Sequence, residues 1–320
     1  MRRYRLRWGM KSAEMSRDFT PGEFEDLRDA QFIPREGTLD RGTRQPQRPR
    51  LPDRNPQTDR DPESIRNLHP PDPRFYDSPS LCRGRDRDYR LRRYEEHALA
   101  DIGKFRVVAT EDLAKYLYEG HRVELQRDLR SLARQGLIQH KTFEASDGST
   151  RELLTLTKAG YRLLRARHAL PESQTAYYGF VKPKEASHDA DIYRVYQKEG
   201  RRIARNGGRK FRVILDFELK RNLNRDFATF GKESQQEIAA RHGLRVVNGK
   251  VPVPDLRIEY ETPEGEMGRV DLELATEHYR PRQLAVKVRA GFSVYAPRSE
   301  ADRLRRVLDQ RELTAEILSL

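Results

Sequence analysis

From residue 89 onward the apolar positions follow two periods, and each predicts an element. Leu91, Tyr94, Ala98, Leu99 and Ile102 recur three and four apart and stop at Gly103, the spacing of one helical face. A β-prone piece follows at 105–108. Thr110 is the expected N-cap of a second helix carrying Leu113, Ala114 and Leu117, with Glu111 and Asp112 in the first turn where the helix dipole favours carboxylates. Gly120 breaks that helix. A third, about 121–135, lines Leu125, Leu129 and Leu132 along one stripe and Arg127, Arg130 and Arg134 along another. Two strands (137–143 and 152–156) around a polar turn, then a helix capped by Thr157, complete the group.

The aromatic stretch 171–186 reads as a linker. Ser187 is the expected N-cap of a helix burying Ile192, Val195, Tyr196 and Ile203, and strand character returns at 211–217. Residues 218–250 hold helical patches at Leu219, Leu223, Ile238 and Ala239 among many charges and read as an insertion. Strict alternation follows: Leu256, Ile258 and Tyr260 face away from Asp255, Arg257, Glu259 and Glu261, and Val270, Leu272 and Leu274 face away from Asp271 and Glu273. A helix containing Lys287, a strand at 292–296, a helix at 299–308 and a final strand within 313–320 give residues 187–320 the order α-β-β-β-α-β-α-β.

Residues 1–88 lack this patterning. They hold 11 of the 18 prolines and nearly balanced charge, 19 Lys/Arg against 16 Asp/Glu, so a disordered Pro/Arg-rich tail is expected. Phe24, Leu27 and Phe32 could dock on a partner, and replication or transfer proteins are the partners expected for this tail. The whole chain of 320 residues carries a formal net charge of +13, suited to a polyanion. Its single cysteine, Cys82, excludes an internal disulfide framework or a cysteine-based zinc finger. Without a secretory leader or an apolar run of about 18 residues, a soluble cytoplasmic protein with no membrane partner is expected. No phosphate-cradling GxxxxGK[ST] loop or ligand-spaced histidine cluster occurs.

Helix, helix, turn, helix, two-stranded wing and helix over residues 89–170 resemble the winged helix-turn-helix superfamily. That resemblance implies duplex DNA as partner, with the third helix in the major groove and Arg122, Gln126, Arg127, Arg130 and Arg134 as contacts. This segment carries 16 Lys/Arg and 11 Asp/Glu. His121, at the helix start, reads as a cap or a phosphate contact. Winged helices also bind proteins, and an arginine stripe is commonly a solvated face.

Asp255 on one strand beside Asp271 and Glu273 on the next would offer the hard oxygen ligands that Mg²⁺ takes, although exposed antiparallel strands are often acidic for no such reason. Pro254-Asp255 followed by Asp271-Leu-Glu273 resembles the PD-(D/E)xK nuclease signature, and the element order resembles its restriction-endonuclease-like α/β fold with a mixed sheet. With the upstream winged helix, residues 90–300 resemble the replication-relaxation family of plasmid and mobile-element proteins. The matching positions are His188, Pro254-Asp255, the run from Asp271 through Thr276 and Glu277, and Lys287. The resemblance implies DNA relaxation, replication or transfer, with Asp255, Glu273 and Asp271 binding Mg²⁺, Lys287 supporting phosphate and His188 moving a proton. Two departures stand out: the acids run Asp-x-Glu, the reverse of the family order, and Ala275 occupies the place of the motif lysine. Three functions follow: a DNA-binding protein of such elements, a Mg²⁺-dependent nickase or endonuclease, or a transcriptional regulator whose C-terminal domain senses a protein.

Overall fold

The computed structural model describes residues 73–320, apart from 85–86, 145–147, 149, 231–233, 277–278 and 311–316, together with the pair 18–19. Phe24, Leu27, Phe32 and most of the predicted tail lie outside the described residues. The order of the N-terminal half is that of a winged helix. A hairpin of β2 (Ser80–Arg83) and β3 (Asp88–Leu91) leads into α1 (Arg93–Lys104), β4 (Val108–Ala109), α2 (Thr110–Tyr116), α3 (Arg122–Arg134), β5 (Ile138–Glu144), β6 (Thr150–Leu156) and α4 (Lys158–Ala166). β4, β6 and β5 form an antiparallel sheet in that order.

Structure begins earlier than the predicted boundary at residue 88. Phe75 is fully buried, its ring 5.6 Å from that of Tyr118, 4.3 Å from Tyr94 and 4.9 Å from His121. Cys82 is fully buried too. A strap anchored by Phe75 and by polar contacts of Arg74, Tyr76 and Asp77 to distant residues has no period, so periodicity cannot announce it. The caps divide. Thr157 accepts the Gly160 N–H at 3.1 Å and caps α4 as expected, whereas α2 is capped from Ala109 and the Thr110 hydroxyl is buried without a hydrogen-bond partner. Ala109, still paired in β4, takes the N-cap position itself, so the helix begins at Thr110, one residue earlier than expected. Gly160 is required at its position, because a Cβ there would lie 2.1 Å from the Leu137 carbonyl oxygen.

The predicted linker is docked. Gln174 presents its side-chain amide to Val213 as a strand would: Oε1 accepts the Val213 N–H and Nε2 donates to its carbonyl, both at 2.9 Å. Tyr177 N–H donates to Gly103 O and Gly179 N–H to Leu156 O. Helix α5 (Pro183–Arg205) starts four residues before the predicted Ser187. Proline occupies its first turn, where a missing N–H is harmless, and the Ser187 hydroxyl instead accepts from Arg151.

This 23-residue helix serves both halves. Ala186 and Ala190 pack with Val107, Ala109 and Leu153, while Ile192, Val195, Tyr196 and Ile203 join one cluster that holds Leu99, Ile102 and Leu156 as well as Val213, Leu256 and Leu272. Charge reinforces the joint. Buried Asp112 of α2 receives Arg194 Nε at 2.9 Å and Nη2 at 3.0 Å, and Arg151 of β6 lies 3.6 Å away. Arg106 bridges Glu185 and Asp189, and the Tyr193 hydroxyl donates to Asp101 at 2.9 Å.

The C-terminal half is an α/β domain on a mixed five-stranded sheet, the restriction-endonuclease-like arrangement expected. Its strands are β7 (Arg209–Leu215), β9 (Leu256–Glu261), β10 (Met267–Leu274), β11 (Ser293–Ala296) and β12 (Ile317–Ser319), in the spatial order β12-β11-β10-β9-β7. The pairs β7–β9 and β9–β10 are antiparallel, and the pairs β10–β11 and β11–β12 are parallel. Crossover helices α8 (Pro281–Arg289) and α9 (Arg298–Asp309) join the parallel strands. Within β11, Tyr295 enters the cluster under α5 while Val294 and Ala296 pack with Leu284, Leu304 and Leu308. The insertion is helical and has its own apolar cluster: α6 (Asp216–Thr229) and α7 (Gln235–Arg241) bring Leu219, Leu223, Ile238 and Ala239 onto Ile214 and Phe292. A short strand β8 (Val251–Pro252) pairs antiparallel with β1 (Asp18–Phe19). Among the described residues no helix is long and apolar enough to cross a membrane.

Because Phe75 fills a closed aromatic cluster, Phe75→Ala is expected to lower stability by about 3–5 kcal/mol, read by urea denaturation. An unchanged midpoint would show that the strap is not part of the folded unit.

Candidate functional site

The β9–β10 hairpin builds the centre. Register pairs Leu256 with Leu272, so Asp255 and Glu273 stand opposite one another just beyond that pair. Both are buried, Asp255 to 3% exposure and Glu273 to 1%, and at such depth a carboxylate must find partners. Asp255 Oδ2 accepts the Leu274 N–H at 2.9 Å and lies 3.5 Å from His188 Nε2 at the start of α5. Glu273 accepts the Tyr279 hydroxyl at 2.7 Å on Oε1 and the Lys287 ammonium at 3.2 Å on Oε2. Lys287 also donates to the Val253 carbonyl at 2.9 Å. Helical spacing accounts for its reach: Leu284 and Lys287, three apart on α8, both point inward. The cation missing at Ala275 is thus supplied from the next helix, and Ala275 itself packs in the apolar cluster under α8 and α9.

Asp271 stands apart from this group. Arg257, its register partner on β9, grips it in a fork, Nε to Oδ1 at 2.6 Å and Nη2 to Oδ2 at 2.8 Å, and donates a third bond to the His242 carbonyl at 2.6 Å. Alternation had placed Asp271 and Glu273 on one face, and the same alternation puts Arg257 there too. Asp271 is therefore a structural ion-pair member and not a third ligand. The expected Mg²⁺ set does not fit as arranged. Glu273 is balanced by Lys287 and Asp271 by Arg257, and among the described residues no three His, Cys, Asp or Glu side chains converge as a metal site. Glu277 of the motif lies outside the described residues.

A small cavity opens beside Asp255 where the two halves meet, lined by Phe105, Arg106, His188, Asp189, Asp216 and Leu215 among others. Asp189 and Arg106 were not singled out from sequence. Neither has a motif, and only the return of α5 onto the winged helix brings them together. Burial pushes the Asp189 carboxyl up to about 6, against the pull of Arg106 at 3.3 Å and of His188. Asp216 closes the wall, its N–H donating to the Asp255 carbonyl at 3.1 Å.

On α3 the structure sorts the predicted DNA contacts. Arg122, Gln126, Arg130 and Arg134 are exposed at four-residue intervals, one continuous stripe. Arg127 is turned away from that stripe. Its Nε donates to Asp128 at 2.9 Å, its Nη2 to the Phe75 carbonyl, and the guanidinium lies 5.0 Å from the Tyr76 ring. Asp128 is fully buried and also accepts the Tyr118 hydroxyl, so Arg127 neutralises a core carboxylate. His121 occupies the N-cap position of α3 without a side-chain cap bond and packs on Phe75, with Glu124 3.9 Å away.

Compared with protein-family models and with curated proteins, the chain matches none.

Two measurements follow. Removing one member of a buried ion pair leaves the other uncompensated, so Lys287→Met or Glu273→Gln alone is expected to cost about 3–5 kcal/mol. The double variant should cost clearly less than the sum, and additivity in a denaturation cycle would dissolve the pair. A carboxyl carbon NMR titration should find Asp189 with a midpoint near 6. Since that carboxyl is raised in the folded state, its protonation favours folding, and this contribution fades as pH climbs from about 4 toward 6.

Proposed function

We propose that the protein binds duplex DNA through α3 and acts with that DNA in plasmid-type replication, relaxation or transfer. One observation carries the DNA contact. Arg122, Arg130 and Arg134 lie exposed along a single stripe, and among the described residues no carboxylate pairs with them, whereas the neighbouring Arg127 is fully engaged. Unmatched cations at the groove-facing helix of a winged fold suit guanine edges and phosphates, and Gln126 between them suits adenine. The net charge of +13 has the same sign. The mobile-element role rests on the order of motifs from His188 through Asp255 and Glu273 to Lys287 downstream of a winged helix. In this proposal the C-terminal domain is a nuclease-like scaffold whose buried charges are balanced internally, and it serves binding.

The second function, cleavage of a phosphodiester, is favoured by Lys287. Its ammonium is brought from α8 to 3.2 Å from Glu273, supplying beside that carboxylate the cation absent at Ala275. On that side His188 lies 3.5 Å from Asp255.

Fluorescence anisotropy on a labelled 30-base-pair duplex tests the first. Each of Arg122→Ala, Arg130→Ala and Arg134→Ala should weaken binding, by about 5- to 150-fold where the arginine reads a base. Arg127→Ala should instead lower the melting temperature. A wild-type chain that binds no duplex even at low salt removes the proposal. Supercoiled plasmid with Mg²⁺ or Mn²⁺ tests the second: nicking that vanishes in Asp255→Ala supports an enzyme, and intact plasmid at every metal concentration excludes it.

A further inference from the structure

A second set of unmatched cations lies where α2 meets α5. Lys115 at the end of α2 and Arg201 on α5 both sit on the ring of Tyr116, with Lys115 Nζ 5.2 Å and Arg201 Cζ 4.9 Å from its centroid. Lys198, one turn before Arg201, donates to the Ser319 carbonyl at 3.0 Å on β12. The three come from different halves of the molecule, yet lie close enough that Lys115 and Arg194 help depress the Lys198 ammonium, after burial. Among the described residues none of Lys115, Lys198 and Arg201 forms an ion pair with a carboxylate, whereas nearby Arg194 is matched by Asp112 and Arg202 by Glu199.

The alternative is that Lys198 and Arg201 complement the negative end of the α5 dipole. That leaves Lys115 unexplained, since it comes from another helix and still shares the Tyr116 ring with Arg201. The Tyr116 hydroxyl is itself buried with no hydrogen-bond partner. A ring quadrupole attracts cations without neutralising them. The patch therefore keeps its charge while its side chains are held in place, which is the condition for meeting an anion with little ordering cost.

We infer that the seam of α2 and α5 is a second DNA contact, with Lys115, Lys198 and Arg201 holding backbone phosphates of the duplex that α3 engages. This rests on the DNA-binding proposal above. Two lysine ammonium groups and the Arg201 guanidinium suit phosphate oxygens, and phosphate contacts carry no base information, so the seam contributes affinity without sequence preference. Reach permits it: Lys115 and Arg122 are seven residues apart, at most about 25 Å along extended chain, within the roughly 34 Å of one duplex turn.

The test is the salt dependence of binding by the full chain. Duplex affinity is measured by anisotropy between 50 and 200 mM KCl for wild type and for Lys115→Gln/Lys198→Gln/Arg201→Gln. Three lost phosphate contacts should make the slope of log affinity against log salt shallower by about 2.7, so that wild type loses about 40-fold more affinity over that range than the variant does. The loss should be equal on unrelated sequences. Arg201→Gln alone, at an exposed position, should reduce the slope by about 0.9, and keeps the test available should the triple variant fold poorly. Wild type that binds through α3 while both variants keep its slope overturns the second contact only. Wild type that binds no duplex overturns both.

Discussion

The buried carboxylate of Asp112 is the constraint on which the rest depends. Burial alone raises it, and Arg194 from α5 and Arg151 from the wing strand pull it back. Each guanidinium also reaches Asp191 on α5, Arg151 at 3.1 Å and Arg194 at 3.7 Å, so acids and bases from three elements converge on one cluster. An ion pair of this kind adds little net stability, because desolvation offsets attraction, but any misplacement strands a charge in the interior. Its contribution is specificity of docking. Apolar packing of α5 against both sheets supplies the free energy, and the charge network decides the angle.

Most elements were legible because their faces are amphipathic with a clear period. The α3 stripe of Leu125, Leu129 and Leu132 and the alternation of Leu256 to Leu274 each name an element and its buried side. What sequence could not show lies wherever one residue acts across a long separation. Phe75 anchors its strap with no periodic neighbours. Gln174 imitates a strand from within a stretch of linker composition. Thr110 looks like a cap until pairing of Ala109 with Leu153 claims the preceding residue. The helical patches read in the charged insertion do form two helices, but their shared core with Ile214 and Phe292 joins residues far apart in the chain and has no period to announce it.

The candidate centre divides along the same line. Asp255, Glu273 and Lys287 were found because a motif order marks them, and the structure draws them together with His188. Asp271 was marked by the same motif, but its fate was set by Arg257 across the strand, a residue carrying no motif at all. Arg127 repeats the lesson on α3: three arginines share a spacing, and the one beside a buried aspartate is consumed by it. In both places the competing demand was neutralisation of a buried charge, the Asp128 carboxylate on α3 and the Arg257 guanidinium on β9, which outweighs display at a surface.

A shared helix also removes a degree of freedom. With α5 fixed by Asp112 on one side and by the sheet on the other, one continuous helix among the described residues links the face that would read a sequence and the centre around Asp255. Bound DNA would then meet the second half at a set helical phase. Inserting about five base pairs, half of a 10–10.5 base-pair turn, between the read sequence and the flanking contacts would turn the wrong side of the duplex toward the protein, while a full turn would restore it. Spacing along the DNA would thus be written into the packing of one helix.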